Sequence, residues 1–145
     1  MRILLTGVTG YVGKRLLPAL IEKGHEVICC VRDKNRLTVN EKILEKVKVL
    51  KIDFLNLPNL NNLPKDFDVA YYLIHSMATS TEKFDQLESE TAGNFKKCME
   101  SSQVKQVVYL SGITNEVVLS KHLDGIINDP KDIFLLAVFH YFCFL

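Results

Sequence analysis

The 145-residue chain has no tryptophan, almost no net charge and no long apolar run, and these shortages remove whole classes of function. Its 18 lysines and arginines stand against 17 aspartates and glutamates, a formal charge of +1. That balance supplies neither the basic stripe of a nucleic-acid binder nor a polybasic membrane patch. The apolar run at the end, 133–145, holds 13 residues and is interrupted by His140. A spanning helix needs about 20, so no membrane span is expected. The start, Met1-Arg2-Ile3-Leu4-Leu5, meets Gly7 too soon to form the apolar core of a signal peptide. The four cysteines, Cys29, Cys30, Cys98 and Cys143, show no CxxC spacing. Adjacent Cys29 and Cys30 cannot clamp zinc in its usual geometry and read as buried free thiols in an apolar run. His25, His75, His122 and His140 are scattered, so no metal site is expected. The cytoplasm is the expected compartment. Internal repeats and low-complexity segments are also missing.

What is present is an ordinary globular composition, 48% hydrophobic and 24% charged. One domain of this length buries roughly two-thirds of its unfolded surface and needs no disulfide or metal to fold. Strand-like apolar runs alternate with helical patterns, which predicts α/β architecture with a parallel sheet. Strands are expected at 2–6, 26–31, 47–52, 69–74 and 106–110. A helix is expected over 11–23, with Val12, Leu16, Ala19, Leu20 and Lys23 on one side, Pro18 inside it and Gly24 ending it. A weak helical pattern follows within 33–46. The asparagine-rich segment 55–66, with two prolines, reads as a loop holding at most one helical turn. A long amphipathic helix is expected over 81–102, burying Phe84, Leu87, Thr91, Phe95, Cys98 and Met99. Right-handed crossovers would put the five strands in the order 3-2-1-4-5, a Rossmann-type doubly wound sheet.

The chemistry is carried by Thr6-Gly7-Val8-Thr9-Gly10-Tyr11-Val12-Gly13, which leaves the first strand and opens the first helix. The spacing is GxxGxxG, a variant of the dinucleotide fingerprint. Gly7 permits the tight turn, Gly10 lets backbone approach a pyrophosphate, and Gly13 lets the helix pack closely. The helix N-terminus then offers free N–H groups to phosphate. The second strand ends at Val31-Arg32-Asp33, with Lys34 and Arg36 close behind. A guanidinium at that point can pair with the 2′-phosphate of NADP, whereas an acid there would hold the ribose of NAD. Arg32 favours NADP; Asp33, one residue on, keeps NAD open. Asp53, after the third strand, is either an acceptor for the adenine amine or a turn-capping aspartate.

The segments TGVTGYVG, HEVICCVR, YYLIHSM and ESETAGNF…VVYLSGI together resemble the atypical short-chain dehydrogenase/reductase superfamily. Within it they look like the NAD(P)H-binding, NmrA-like group, to which a complex I subunit is also related. The resemblance covers residues 1–122. It implies a dinucleotide in the cleft at the strand C-termini, on a fold of nucleoside-diphosphate-sugar-epimerase ancestry. Carried over, Gly7, Thr9, Gly10, Tyr11, Val12 and Gly13 would cradle the pyrophosphate, and Arg32 would meet the adenosine ribose phosphate. Asp53 and Phe54 would flank the adenine. Ile74, His75 and Ser76 would lie near the nicotinamide-side ribose, with Ser111 and Gly112 near the nicotinamide. Ser111 matches the superfamily's catalytic serine and His75 is the other catalytic candidate.

The chain departs from the superfamily in one catalytic respect. Active reductases pair a tyrosine with a lysine four residues on, which lowers the phenol pKa for proton exchange with substrate. Here Tyr11 is followed at that spacing by Arg15, Tyr71 by His75, Tyr72 by Ser76 and Tyr109 by Ile113. After residue 122 the resemblance fades into a polar turn and the aromatic run 133–145, read as a buried strand or helix or as a divergent, aberrant tail on a truncated relative. The expected division is therefore an NAD(P)-binding domain at 1–122 and a divergent tail at 123–145. Two functions are weighed. One is an NAD(P)-dependent oxidoreductase or epimerase-like enzyme acting on a small-molecule substrate. The other is a non-catalytic dinucleotide-binding redox sensor or assembly factor.

Overall fold

A computed structural model describes residues 1–74 and 82–110, with the side chains of 82–85 excepted. The chain runs β1 (Arg2–Leu5), α1 (Tyr11–Glu22), β2 (Glu26–Val31), α2 (Glu41–Leu44), β3 (Val47–Lys51), α3 (Leu57–Leu60), β4 (Val69–Tyr72), α4 (Glu82–Glu100) and β5 (Gln106–Tyr109). All four strand pairings are parallel and the order is β3-β2-β1-β4-β5. The sheet is the Rossmann-type α/β arrangement that the alternation of strands and helices predicts.

Strand side chains alternate between two apolar layers. Leu4, Ile28, Cys30, Ala70 and Tyr72 face the layer closed by Phe95 and Met99 of α4, with Phe54 and Phe67 beside them. Ile3, Leu5, Val27, Cys29 and Val31 face the layer closed by Leu17 and Leu20 of α1. Cys29 and Cys30 therefore point to opposite faces, and both are buried free thiols as the sequence predicts. Burial pushes the Cys29 thiol up to about 12 and raises Cys30 as well, so both stay protonated and inert.

Local chemistry sets the element ends. α1 stops in a Schellman turn: Gly24, at φ 76°, donates to Ile21 O at 2.9 Å, and His25 donates to Leu20 O at 3.1 Å. The weak helical pattern after β2 resolves into two short pieces. A 3₁₀ turn at Lys34–Arg36 is capped by Asp33, and α2 is capped by Asn40, whose side chain accepts from Lys42 N. α3 is the single turn anticipated in 55–66.

Three expectations need correction. The buried face of α1 is Gly13, Leu17 and Leu20, and Ala19 and Lys23 are exposed. Gly13 fixes that phase, because it packs on the glycine loop rather than presenting an apolar side chain. On α4 the buried residues are Ala92, Asn94, Phe95 and Met99, while Leu87 is 49% exposed. β4 ends at Tyr72, two residues early, because the Leu73 N–H leaves the ladder and bonds to the Thr6 hydroxyl at 3.2 Å. Among the described residues no helix is long and apolar enough to cross a membrane. The boundary at 122, the tail, Phe84's side chain and Cys143 lie outside the described residues or side chains.

At the N-terminal edge of the sheet the strands are tied by charge. Arg2 pairs with Glu26 at 2.9 Å and with Asp66. Asp68 accepts from Arg2 N at 2.9 Å and from Lys105 Nζ at 3.0 Å. These donors, the Arg2 amide first, hold the Asp68 carboxyl below its ordinary value.

Candidate functional site

The opposite edge, at the strand C-termini, is open. A cleft of about 480 Å³ lies there, within the usual size range for small-molecule sites. Its floor is where strand order reverses between β1 and β4, the place where open α/β sheets bind ligands. Thr6, fully buried, closes the crack below it. Its hydroxyl donates to Tyr71 O at 2.9 Å and accepts from Leu73 N.

The glycine loop forms one wall. Gly7 has φ 63°, and a Cβ there would fall 2.3 Å from Leu73 O. A side chain is thus excluded both by conformation and by the approach of the backbone just after β4. A Cβ on Gly13 would meet Gly7 O at 2.4 Å and Val8 Cα at 2.6 Å, so this glycine lets α1 nest against the loop. A Cβ on Gly10 would meet only Gly7 O, at 3.2 Å. Gly10 is the N-cap of α1, no side chain caps the helix, and its first turn holds no acid. The helix thus begins at a residue that lines the cleft, and its first turn carries no acid to oppose an anion at that end.

The second wall comes from the ends of β2 and β3. Arg32 and Arg36 line it, both exposed, and neither side chain has a hydrogen bond or ion pair among the described residues. Asp33 also lines it, but its Oδ1 already accepts from Asn35 N at 3.0 Å. Asp53 lines it too, and its Oδ1 accepts from Leu55 N at 3.0 Å. The capping role weighed for Asp53 is therefore present, and its second oxygen has no partner among the described residues. α4 contributes Leu87 and Thr91 to the third side.

The cleft gathers Gly7, Thr9, Gly10, Arg32, Asp53, Phe54 and Ile74 from the residues singled out in the sequence. Three others stand back from it. Tyr11 is 73% exposed with its ring under the Arg15 guanidinium at 3.6 Å, Gly13 is buried beneath the loop, and Val12 is half-buried on α1. Phe54 reaches the cleft from a turn, but its ring is 2% exposed and packs edge-on against Phe95 at 5.5 Å. The residue thus lines the cleft while its ring belongs to the apolar layer beneath it. His75, Ser76, Ser111 and Gly112 lie outside the described residues. Sequence reasoning missed Leu87 and Thr91 as cleft residues, because their helical spacing reads as core. It also missed Asn94, whose side chain donates to Phe54 O at 2.7 Å.

These features fit a dinucleotide: a glycine loop without Cβ obstruction, a helix N-terminus free of acids and, at the far end, guanidinium groups that no described residue pairs. Residues 7–130 match a family model described as NAD(P)H-binding. Trichosetin synthetase of Gibberella fujikuroi is 30% identical over 105 residues, covering 66% of this chain but 3% of that protein. A nucleoside-diphosphate-sugar epimerase of Staphylococcus aureus shares the fold at TM-score 0.65 and 20% identity, over 87% of this chain and 43% of its own. UDP-glucuronic acid 4-epimerase of Bacillus cereus, solved with NAD, does so at TM-score 0.62 and 23% identity, over 83% and 45%. A short-chain dehydrogenase/reductase protein of Agrobacterium tumefaciens with bound NAD gives TM-score 0.63 and 16% identity, over 77% and 33%. The chain thus spans less than half the length of these structures. With the glycine loop, the reversal of strand order and the matched residues in agreement, the chain belongs to the NAD(P)H-binding family, on a fold shared with short-chain dehydrogenases/reductases and nucleotide-sugar epimerases.

Proposed function

We propose that the cleft binds NADP in preference to NAD, with the pyrophosphate on the Gly7–Gly10 loop and the 2′-phosphate at Arg32 and Arg36. One observation carries the preference. The two guanidinium groups have no partner among the described residues on the cleft wall, while one carboxylate oxygen of Asp33, the alternative ribose ligand, is engaged by Asn35 N. A planar guanidinium matches a phosphate in bidentate fashion, whereas a ribose diol is best held by both oxygens of a carboxylate and Asp33 has one of its two engaged. Asp53 receives the adenine amine on its free oxygen. Ile74, His75 and Ser76 approach the nicotinamide-side ribose, and Ser111 and Gly112 the nicotinamide. The domain ends near residue 122, and the buried free thiols suit a reducing cytoplasm.

The bound cofactor supplies a hydride donor or acceptor, and the chain's own residues bind it and orient it. On this reading the chain derives from an oxidoreductase or epimerase-like enzyme with a small-molecule substrate, Ser111 and His75 being the candidate catalytic groups. A second reading, a non-catalytic redox sensor or assembly factor, is favoured by the tyrosines. Burial raises the phenol pKa of Tyr72 and of Tyr109, the opposite of what proton exchange at neutral pH needs. Titrating the full chain with NADPH and NADH by nicotinamide fluorescence tests the preference. Arg32→Glu should weaken NADPH binding about ten- to a hundredfold and leave NADH nearly unchanged; equal losses would reject Arg32 as the phosphate reader. NADPH binding without turnover of carbonyl or nucleotide-sugar substrates would leave the sensor.

A further inference from the structure

Two polar residues are buried in the core among the described residues, Thr6 and Asn94. Thr6 closes the cleft floor; Asn94 sits on α4, 6% exposed, in the apolar layer beneath the adenosine end. A buried amide is costly unless it is bonded, and this one spends its donor on a turn 40 residues away, at Phe54 O, 2.7 Å. We propose that Asn94 is a positioning residue for recognition of the adenine base. It fixes the Asp53–Leu55 turn so that the free Asp53 oxygen stands ready to accept from an exocyclic amine. The proposal rests on the reading that a dinucleotide occupies the cleft with its adenosine at the β2–β3 end.

The turn lies outside any strand, so the sheet does not hold it. Its restraints are few and converge. Asn94 holds the Phe54 carbonyl, and Phe95, the next residue, holds the Phe54 ring at 5.5 Å with an interplanar angle of 66°. Asp53 closes the turn on itself, its Oδ1 accepting from Leu55 N and its carbonyl from Asn56 N, each at 3.0 Å. One carboxylate oxygen is thereby anchored and the other left to a ligand. Leu87, Thr91 and Asn94 are spaced four and three residues apart along one face of α4. The helix that lines the cleft with the first two thus also sets the opposing turn through the third. A rigid acceptor distinguishes an amino-purine from its keto counterpart; a mobile one turns to solvent and does not.

The test uses the full chain and two probes, NADPH and its hypoxanthine analogue, in which a carbonyl and a ring N–H replace the amine and bare ring nitrogen of adenine. The wild type should prefer NADPH by about tenfold, the scale of one charge-assisted hydrogen bond. Asn94→Leu keeps the branched shape and the number of heavy atoms while removing the donor, and should bring the ratio of the two affinities toward one. Asn94→Ala serves as the second variant if leucine prevents folding. Amide exchange over 53–56 should rise in either variant while β1 and β2 stay protected. A variant that keeps the wild-type ratio overturns the proposal, including when both affinities fall together, which is what a merely structural asparagine would give. A wild type that binds both probes equally also overturns it, with the cofactor reading intact. A wild type that binds neither removes the cofactor reading itself.

Discussion

The two edges of the sheet are built from similar residues and do opposite things. At the N-terminal edge Arg2, Glu26, Asp66, Asp68 and Lys105 satisfy one another across four strands. At the C-terminal edge Arg32 and Arg36 have no partners among the described residues and stand beside a cleft. Charge that is paired adds a little stability, and charge held open is available to a ligand. The lesson is that function in this chain is legible as unsatisfied bonding capacity rather than as residue type.

The sharpest way to break the comparison uses Gly7 and Gly24, two glycines with positive φ, one near each edge. Gly7→Ala should abolish NADPH binding and cost at least about 3 kcal/mol, since both the backbone conformation and the Leu73 carbonyl oppose it. Gly24→Ala, where nothing lies within 4 Å of the new Cβ, should cost about 1–2 kcal/mol and leave binding per folded molecule unchanged. Denaturant unfolding with parallel fluorescence titration separates the two outcomes. Next in size is Arg2→Met, which removes the hub of the closed edge. It should lower stability by about 1 kcal/mol, because the pairs are partly exposed, with cofactor affinity intact.

The pH response should follow the closed edge as well. Asp68 is held below its ordinary value in the folded chain, so its contribution is present above that value and is lost as pH falls through the depressed one. Melting temperatures measured below pH 4 should therefore fall less steeply for Asp68→Asn than for the wild type. The smallest effect lies between the edges. Cys29 and Cys30 should resist thiol reagents at pH 8 in the folded chain and react on unfolding, whereas reaction in the native state would contradict their burial.

The strand order and the glycine loop were readable because both follow from periodicity and from one backbone requirement. The face of α1 was not, because the residue that sets it, Gly13, carries no apolar signal and is placed by its neighbours Gly7 and Val8. Phe54 sits beside a recognisable Asp53, yet whether its ring turns to the base or to the core depends on Phe95, which lies 41 positions along the chain. Asn94 reads as a solvent-facing residue on a mostly polar helix; only the buried stretch around it gives its bond to Phe54 away. Arg32 and Asp33 are adjacent in sequence, and what sets them apart in the structure is a hydrogen bond from Asn35 N to Asp33 that no spacing rule encodes.

The Thr6 hydroxyl has a consequence for biosynthesis. It is made early, and its acceptor on Tyr71 and its donor on Leu73 follow 65 and 67 positions later. At elongation rates of roughly 5–20 residues per second, that is an interval of roughly 3–13 s. During it the glycine loop is already out of the ribosome without the strand that forms the cleft floor. The nascent chain can pair β1 with β2 and β3 in that interval, but it has no complete pocket to offer a nucleotide. Cofactor capture is therefore timed by the arrival of β4, and a cofactor-dependent gain in protease resistance should appear only in nascent chains stalled after that strand has emerged.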